Sequence, residues 1–302
     1  MSPYDWPTFR PQIALSEHLF GARGAVLLGN WFDQQIERIT DPAFARLFSD
    51  HIDLAGVISG DYNHRFIECE AGALIGGIRF YGGDLARPFV EIIAHDFEDE
   101  KALLDCISVE WATFAPLHFR LLMASGAVLP PFAHVDMTIY AARFRDMSPP
   151  DNRVSLARFE SVEEAVSMVA ARYAELARSD PTLARNISAA DEDDLQAWHD
   201  DGHLQAIRAY LKGRTATVGL FAAAAGVVEW IEGDEVKEEV VSAEYSGHGF
   251  ATSAQVAWAA RPEADPDLLL VGTIERLNIA SRRSAENAGR AALLDYVLVP
   301  IK

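Results

Sequence analysis

Glu244-Tyr245-Ser246-Gly247-His248-Gly249-Phe250-Ala251 follows directly on the apolar run Val236 to Ala243. A strand that ends in a glycine-spaced turn and opens a helix suits a phosphorylated ligand. The glycines let the backbone approach phosphate oxygens, and the free N–H groups of the helix start point at them. A Gly-x-Gly pair alone reads equally well as a tight strand-to-helix turn, so the wider context matters. After the buried apolar strand Leu268 to Ile274, Asn278, Ser281, Ala285 and Gly289 recur at spacings that place them on one helical face. Arg282 and Arg283 beside them are candidates for phosphate pairing or simply solvated surface arginines.

Over these two stretches the chain resembles the GNAT N-acetyltransferases. Val241 to Ala251 is similar to the family's run Val-x-Pro-Glu-Tyr-Arg-Gly-x-Gly-Leu-Ala, and Asn278 with Ser281 to its Asn-x-x-Ser. The family's Gln/Arg-x-x-Gly-x-Gly/Ala signature stands as Glu244-x-x-Gly247-x-Gly249. The resemblance implies acetyl-CoA as co-substrate, held by Val241, Ala243, Ser246, Gly247, His248, Gly249, Phe250, Ala251, Asn278 and Ser281. It also implies direct attack of a primary amine, on a small molecule or a protein, on the thioester. The Val241 N–H would polarise the thioester carbonyl, Glu239 would take the amine proton, and Ser281 or water would serve the leaving thiolate. Glu239 is preferred to Glu238 because alternation puts it on the face of Val241; a solvent-facing carboxylate is the alternative.

Two positions depart from the family. Glu244 stands where a neutral or cationic residue is usual, and Ala285 where many members carry the tyrosine that protonates the thiolate. Tyr245, Tyr296 and His248 are available nearby, and a structural role is the favoured alternative for each. These departures keep open a CoA-binding sensor or interaction protein without catalysis, and a pair of domains that binds no CoA.

The length of 302 residues suits two domains. Met147-Ser148-Pro149-Pro150-Asp151-Asn152 is the linker candidate, because adjacent prolines break helix and sheet; it gives domains at 1–147 and 148–302. The second half reads as a mixed α/β unit with the GNAT order of elements, including a hairpin at Glu232-Gly233-Asp234 and a closing strand at Ala292 to Ile301. The first half echoes it faintly. Val90 to Phe97 lines up with Glu238 to Tyr245, placing Asp99 opposite Gly247 and Lys101 opposite Gly249. Phe119 to Ser125 would then be a helix and Val135 to Phe144 a closing strand. The expected architecture is two tandem GNAT copies, the first a degenerate one without its cofactor loop.

The net charge of −19 argues against nucleic acid, which requires a basic face. It favours a cationic acceptor such as an amine through steering, or serves solubility alone. The excess, −9 in residues 1–150 and −10 in 151–302, marks neither half as a binding face. No long apolar run suggests a membrane span, and Met1 to Gln12 lacks a secretory apolar stretch. The expectation is therefore a cytoplasmic protein without a membrane partner, with a homodimer left open. Cys69 and Cys106 read as buried apolar thiols, too few and too distant in sequence for a disulfide framework. The histidines show no metal-ligand spacing, so no metal is expected, and no Gly-x-Ser-x-Gly elbow supports a hydrolase. The acidic stretch Ser188 to Gly202 reads as a gating loop or as a surface helix and turn.

Overall fold

The computed structural model describes residues 6–301. Three helices come first, α1 (Arg10–Phe20), α2 (Ala22–Glu37) and α3 (Pro42–Ser49). Asp41 caps α3, its carboxylate accepting from the Ala43 N–H at 2.8 Å, with Pro42 at the first helical position. Strands β1 (Arg65–Cys69), β2 (Gly72–Phe80) and β3 (Pro88–His95), helix α4 (Glu100–Glu110), and strands β4 (His118–Ala124) and β5 (His134–Arg143) follow. The second half runs β6 (Val154–Arg158), α5 (Val162–Ser179), α6 (Pro181–Ala184), α7 (Glu192–Asp200), β7 (Leu204–Leu211), β8 (Arg214–Val228) and β9 (Ile231–Val241). It ends with α8 (Phe250–Ala259), β10 (Leu269–Glu275), α9 (Ile279–Asn287) and β11 (Ala291–Pro300). Two compact units result, one of residues up to 136 together with 294 onward, the other of residues 137–293.

In the first unit the strand order is β1-β2-β3-β4-β11, antiparallel except for the parallel pair β3–β4. Leu74, Ile78, Val90, Leu103, Ile107, Trp111, Phe119 and Val297 form its core. A charged network is enclosed with it. Arg120 donates to Glu91 at 2.8 Å and to Asp136 at 3.5 Å, and Tyr81 donates to Asp136 at 2.9 Å. Arg79 lies over Phe44 and Phe48 and beside His64 at 3.3 Å. Burial, then the Arg79 charge, pushes the His64 imidazole down to about 3, so a neutral ring faces the guanidinium.

In the second unit the order is β5-β10-β9-β8-β7-β6, antiparallel except for β9–β10. Both faces are covered. Phe221 and Ala223 pack with Phe250, Ala254 and Trp258 of α8, whereas Leu220 and Ala222 pack with Val162, Ala165 and Val169 of α5 and Leu195 of α7. The alternation of β8 thus feeds two cores. In the acidic stretch, α7 is a helix whose N-cap Asp191 accepts from the Asp194 N–H at 2.8 Å.

Several sequence expectations are corrected here. The hairpin before β9 turns at Glu229 and Trp230, with Glu229 at φ +57°, and Gly233 and Asp234 lie inside the strand. Gly233 is required there by crowding, since a Cβ would stand 2.5 Å from the Leu269 carbonyl oxygen. Phe119 to Ala124 is strand, not helix. The Asp99 carboxylate caps α4, accepting from the Lys101 N–H at 3.0 Å, the position that Gly249 holds on α8 rather than Gly247. The two closing strands are exchanged: β5 pairs with β10 from Met137 to Arg143, and β11 pairs with β4 from Leu294 to Pro300. The divisions at 147/148 and at 136/137 with 293/294 therefore differ. Cys69 is exposed, not buried.

No helix among the described residues is long and apolar enough to cross a membrane. Gly233→Ala should destabilise the protein by about 1–3 kcal/mol, because the backbone carbonyl it meets cannot rotate away. Urea denaturation should show a lower midpoint with an unchanged slope.

Candidate cofactor and active site

The site starts from an interrupted strand pair. β9 and β10 are paired only at Leu270↔Asp234 and Val271↔Glu235. Beyond these residues β9 continues to Val241 with a strand partner on its β8 side alone. Lys237 is a bulge on that side, since Val236 faces Ala223 while Glu238 faces Ala222. The bulge resets the alternation, so Glu238 enters the layer opposite Val236 and Glu239 the layer of Val236.

Glu239 turns toward α8. The Gln255 Nε2 donates to both of its carboxylate oxygens, at 3.0 and 3.1 Å. The Arg290 Nη1 donates to Gln255 Oε1 at 3.3 Å, and its Nη2 to the carbonyls of Tyr140 at 3.0 Å and Gly272 at 3.5 Å. Arg290 is 3 % exposed. Burial pulls its guanidinium down to about 10, still charged at neutral pH, with the Glu239 charge opposing that fall. Burial raises the Glu239 carboxyl, against the Gln255 bond and the Arg290 charge. Glu238, 7 % exposed, turns toward α5 and accepts from the Ala190 and Glu239 N–H groups at 3.1 Å and from the Tyr173 hydroxyl at 3.4 Å. Burial raises this carboxyl too, and burial beside Glu238 raises the Tyr173 phenol.

A cleft of about 370 Å³ lies over the open side of β9. Its walls include Glu239 to Val241, Tyr245 to Gly247, Gly249 to Thr252, Asn278, Ser281 and Arg283, with Arg172, Tyr173 and Leu176 of α5. Gly247 and Gly249 both sit at φ +77°, a backbone region that side chains disfavour. Gly249 is the N-cap of α8, so the N–H groups of Phe250, Ala251 and Thr252 have no partner within the helix. Arg153 fixes the turn from behind, donating to the His248 carbonyl at 2.9 Å and to the Ser253 Oγ at 3.0 Å. A Cβ at Gly249 would meet its Nη2 at 2.9 Å, whereas one at Gly247 would point into open space.

The second helix start is fixed by Asn278, whose Oδ1 accepts from the Ser281 N–H at 3.2 Å. Thr252 Oγ1 donates to the Ser284 carbonyl at 3.3 Å, joining the first turn of α8 to the middle of α9 beside the cleft. Ala285 points away and is 0 % exposed, packed with Tyr140 and Ile274.

Of the residues singled out from sequence, Glu239, Val241, Ser246, Gly247, Gly249, Phe250, Ala251, Asn278 and Ser281 line this cleft. Ala243 and His248 do not. Ala243 is exposed in the turn after β9, and His248 is exposed with its ring stacked on Phe250, centroids 5.8 Å apart. Arg283 lines the cleft, while Arg282 donates to the Tyr140 hydroxyl at 3.2 Å. Among the substitute acids Tyr245 lines the cleft, and Tyr296 lies in the first unit under Arg120.

Glu238, weighed against Glu239 from the sequence, faces the other layer, and sequence reading gives no role to Tyr173, Gln255, Arg290 or Arg153. Tyr173 sat unremarked in the apolar stripe of α5, and Arg290 stood one residue beyond the motif. Among the described residues no group of three or more His, Cys, Asp or Glu stands close enough to hold a metal ion.

No family model matches the chain, and no curated protein matches it. Among solved structures it is similar to a GCN5-related N-acetyltransferase from Sphaerobacter thermophilus (11% identity, 100% of this chain and 94% of that one, TM-score 0.49). It is also similar to a GNAT-family acetyltransferase from Colwellia psychrerythraea (13% identity, 89% and 97%, TM-score 0.46). A third is a functionally unknown conserved protein from Staphylococcus epidermidis (10% identity, 82% and 98%, TM-score 0.45).

Two outcomes follow from the buried charges. A carboxyl raised on folding binds its proton more tightly in the folded chain. Its contribution is fully present below the unfolded value and declines as pH rises toward the folded one. The stability of Glu238→Gln relative to wild type should therefore be higher at about pH 7 than at about pH 4 in paired urea titrations. Arg290→Met should cost about 3–5 kcal/mol by leaving Glu239 uncompensated. Combining it with Glu239→Gln should cost less than the two separate losses together, as a double-mutant cycle would measure.

Proposed function

We propose that the second unit is an acyltransferase of the GNAT kind, moving an acetyl group from acetyl-CoA to a primary amine. The observation that carries this reading is the parting of β9 from β10 over a cleft that ends on two helix N-termini. An extended arm of peptide-like chemistry fits beside β9, where backbone N–H and C=O groups lack a strand partner. The pyrophosphate then meets the N–H groups of Gly247 to Thr252, and Ser281 and Arg283 border the same cleft.

The overall negative charge opposes a polyanion only weakly. Charges farther than about 8 Å are screened at physiological ionic strength, while the helix N–H groups act at contact. Glu244 is exposed and lies off the cleft lining, which leaves room for the phosphates.

In this reading the Val241 N–H polarises the thioester carbonyl as the amine attacks. Glu239 accepts the amine proton, its carboxyl raised by burial toward the range where a general base works. Ser281 or water meets the departing thiolate. The first unit we read as a reduced copy of the second. Its β3–α4–β4 repeats the parallel strand–helix–strand order, but the acidic side chain of Asp99 caps α4 where a phosphate would need open N–H groups.

One observation favours a second reading, CoA binding without transfer. Ala285 offers no proton and is packed away from the cleft.

The test is calorimetric titration of acetyl-CoA into wild type, Gly247→Asp and Glu239→Gln, followed by thiol release with a panel of amines. Wild type should bind in the micromolar range, about −8 kcal/mol. Gly247→Asp should lose binding while its thermal midpoint falls by no more than about 5 °C, because the new side chain enters open space and Asp is among the side chains that tolerate the left-handed backbone at φ +77°. Glu239→Gln should keep binding and lose turnover by about a hundredfold or more. Absence of wild-type binding refutes the cofactor assignment. Binding without thiol release from any amine selects the second reading.

A further inference from the structure

Two sulfurs far apart in sequence meet in the first unit. Cys69 closes β1 and pairs with Gly72 across the tight hairpin into β2. Cys106 lies on α4, packed against the core that includes Ile67, Leu103 and Ile107. Their Sγ atoms are 2.7 Å apart, inside ordinary sulfur–sulfur contact. Cys69 is exposed and Cys106 half-buried, so one thiol is open to a reagent and the other waits behind it. Among the described residues no third metal-binding side chain joins them.

We propose that Cys69 and Cys106 are an oxidative modification site, closing to an intramolecular disulfide that pins β1 to α4. The oxidant is a low-molecular-weight disulfide, RSSR. The Cys69 thiolate attacks one of its sulfurs, forming a Cys69–SR mixed disulfide and releasing RS⁻. Cys106, losing its proton to solvent, then attacks the Cys69 Sγ and displaces the second RS⁻. Both leaving thiolates are reprotonated. In sum two cysteine thiols and RSSR give one protein disulfide and two RSH; the thiols lose two electrons and RSSR gains them. The order of attack follows from exposure, and burial and the bond to Cys69 push the Cys106 thiol up to about 12. The closed loop carries β2, β3 and the first half of α4, so the bond removes freedom from the unfolded chain.

The experiment incubates the full chain with hydroxyethyl disulfide, an uncharged reagent that the acidic surface does not repel. Free thiols, intact mass and thermal midpoint are then read. Wild type should lose both thiols, lose two hydrogens in mass without an adduct, and gain about 5–10 °C in midpoint, all reversed by dithiothreitol. Cys106→Ser should stop at one adduct on Cys69, and Cys69→Ser should react at least roughly tenfold more slowly. Wild type carrying one or two adducts without the internal bond, or keeping both thiols under excess reagent, would overturn the proposal.

Discussion

Everything around the cleft depends on one buried cation, Arg290. Arg290 bonds the carbonyls of Gly272 and Tyr140, which face each other across the β5–β10 pair. Gly272 is small for this reason, since a Cβ there would stand 3.1 Å from the guanidinium nitrogen. Arg290 is itself acceptable in the interior only because Glu239 balances its charge through Gln255. An arginine, an amide and a carboxylate thus link β5 and β10 to α8 and β9 beside the cleft. Gln255 adds a further tie, because it fixes α8, whose N-terminus forms the end of the cleft. A change at any one of the three reaches both the strands and the aim of the helix.

The two adjacent glutamates show what a sheet covered on both faces does to sequence reasoning. On a half-exposed strand, alternation assigns one side chain to solvent and one to the core. Here helices cover both faces, so Glu238 is buried on the α5 side and Glu239, half-buried, lies against α8 and borders the cleft. Burial raises both carboxyls, so neither is marked as the base by acidity alone. The distinction is one of neighbours: Glu238 bonds two backbone N–H groups and a phenol, and Glu239 an amide and the field of an arginine.

Local signals were the legible ones. Strand and helix positions from 153 onward follow from apolar periodicity and from Gly249, Asn278 and Gly289 at helix ends, and most cofactor residues proposed from the two motifs line one cleft. Misreadings came where tertiary contacts overrule the local pattern. Gly233-Asp234 looks like a turn, but its glycine serves a close backbone approach from Leu269. Phe119 to Ala124 carries enough apolar residues for either element, and parallel pairing with β3 makes it a strand. The exchange of β5 and β11 leaves no local trace, because either strand would satisfy either neighbour by hydrophobicity alone. Arg290 is likewise invisible without knowing which carbonyls it must meet.

The first unit meets the same constraint by another route. There β3 and β4 are paired only from Phe89↔His118 to Glu91↔Arg120 and then separate, again leaving backbone groups to be accounted for. Thr8 answers for one residue: its hydroxyl donates to the His95 carbonyl at 3.0 Å and accepts the His95 N–H at 3.1 Å. Thr8 thus ties down the end of that edge, while Ile92 to His95 and Leu121 to Ala124 line a smaller cavity of about 210 Å³ where the strands part. Parallel strands that part always expose polar backbone, and burying it unpaired costs on the order of 1–3 kcal/mol per group. Both partings therefore border a cavity, and what differs is the end of each: the Asp99 carboxylate caps α4, whereas Gly247 and Gly249 at φ +77° leave the first N–H groups of α8 without a side-chain cap. A helix start without an acidic cap can take a phosphate and one closed by a carboxylate cannot, which is the physical reason for seeking the cofactor beside β9.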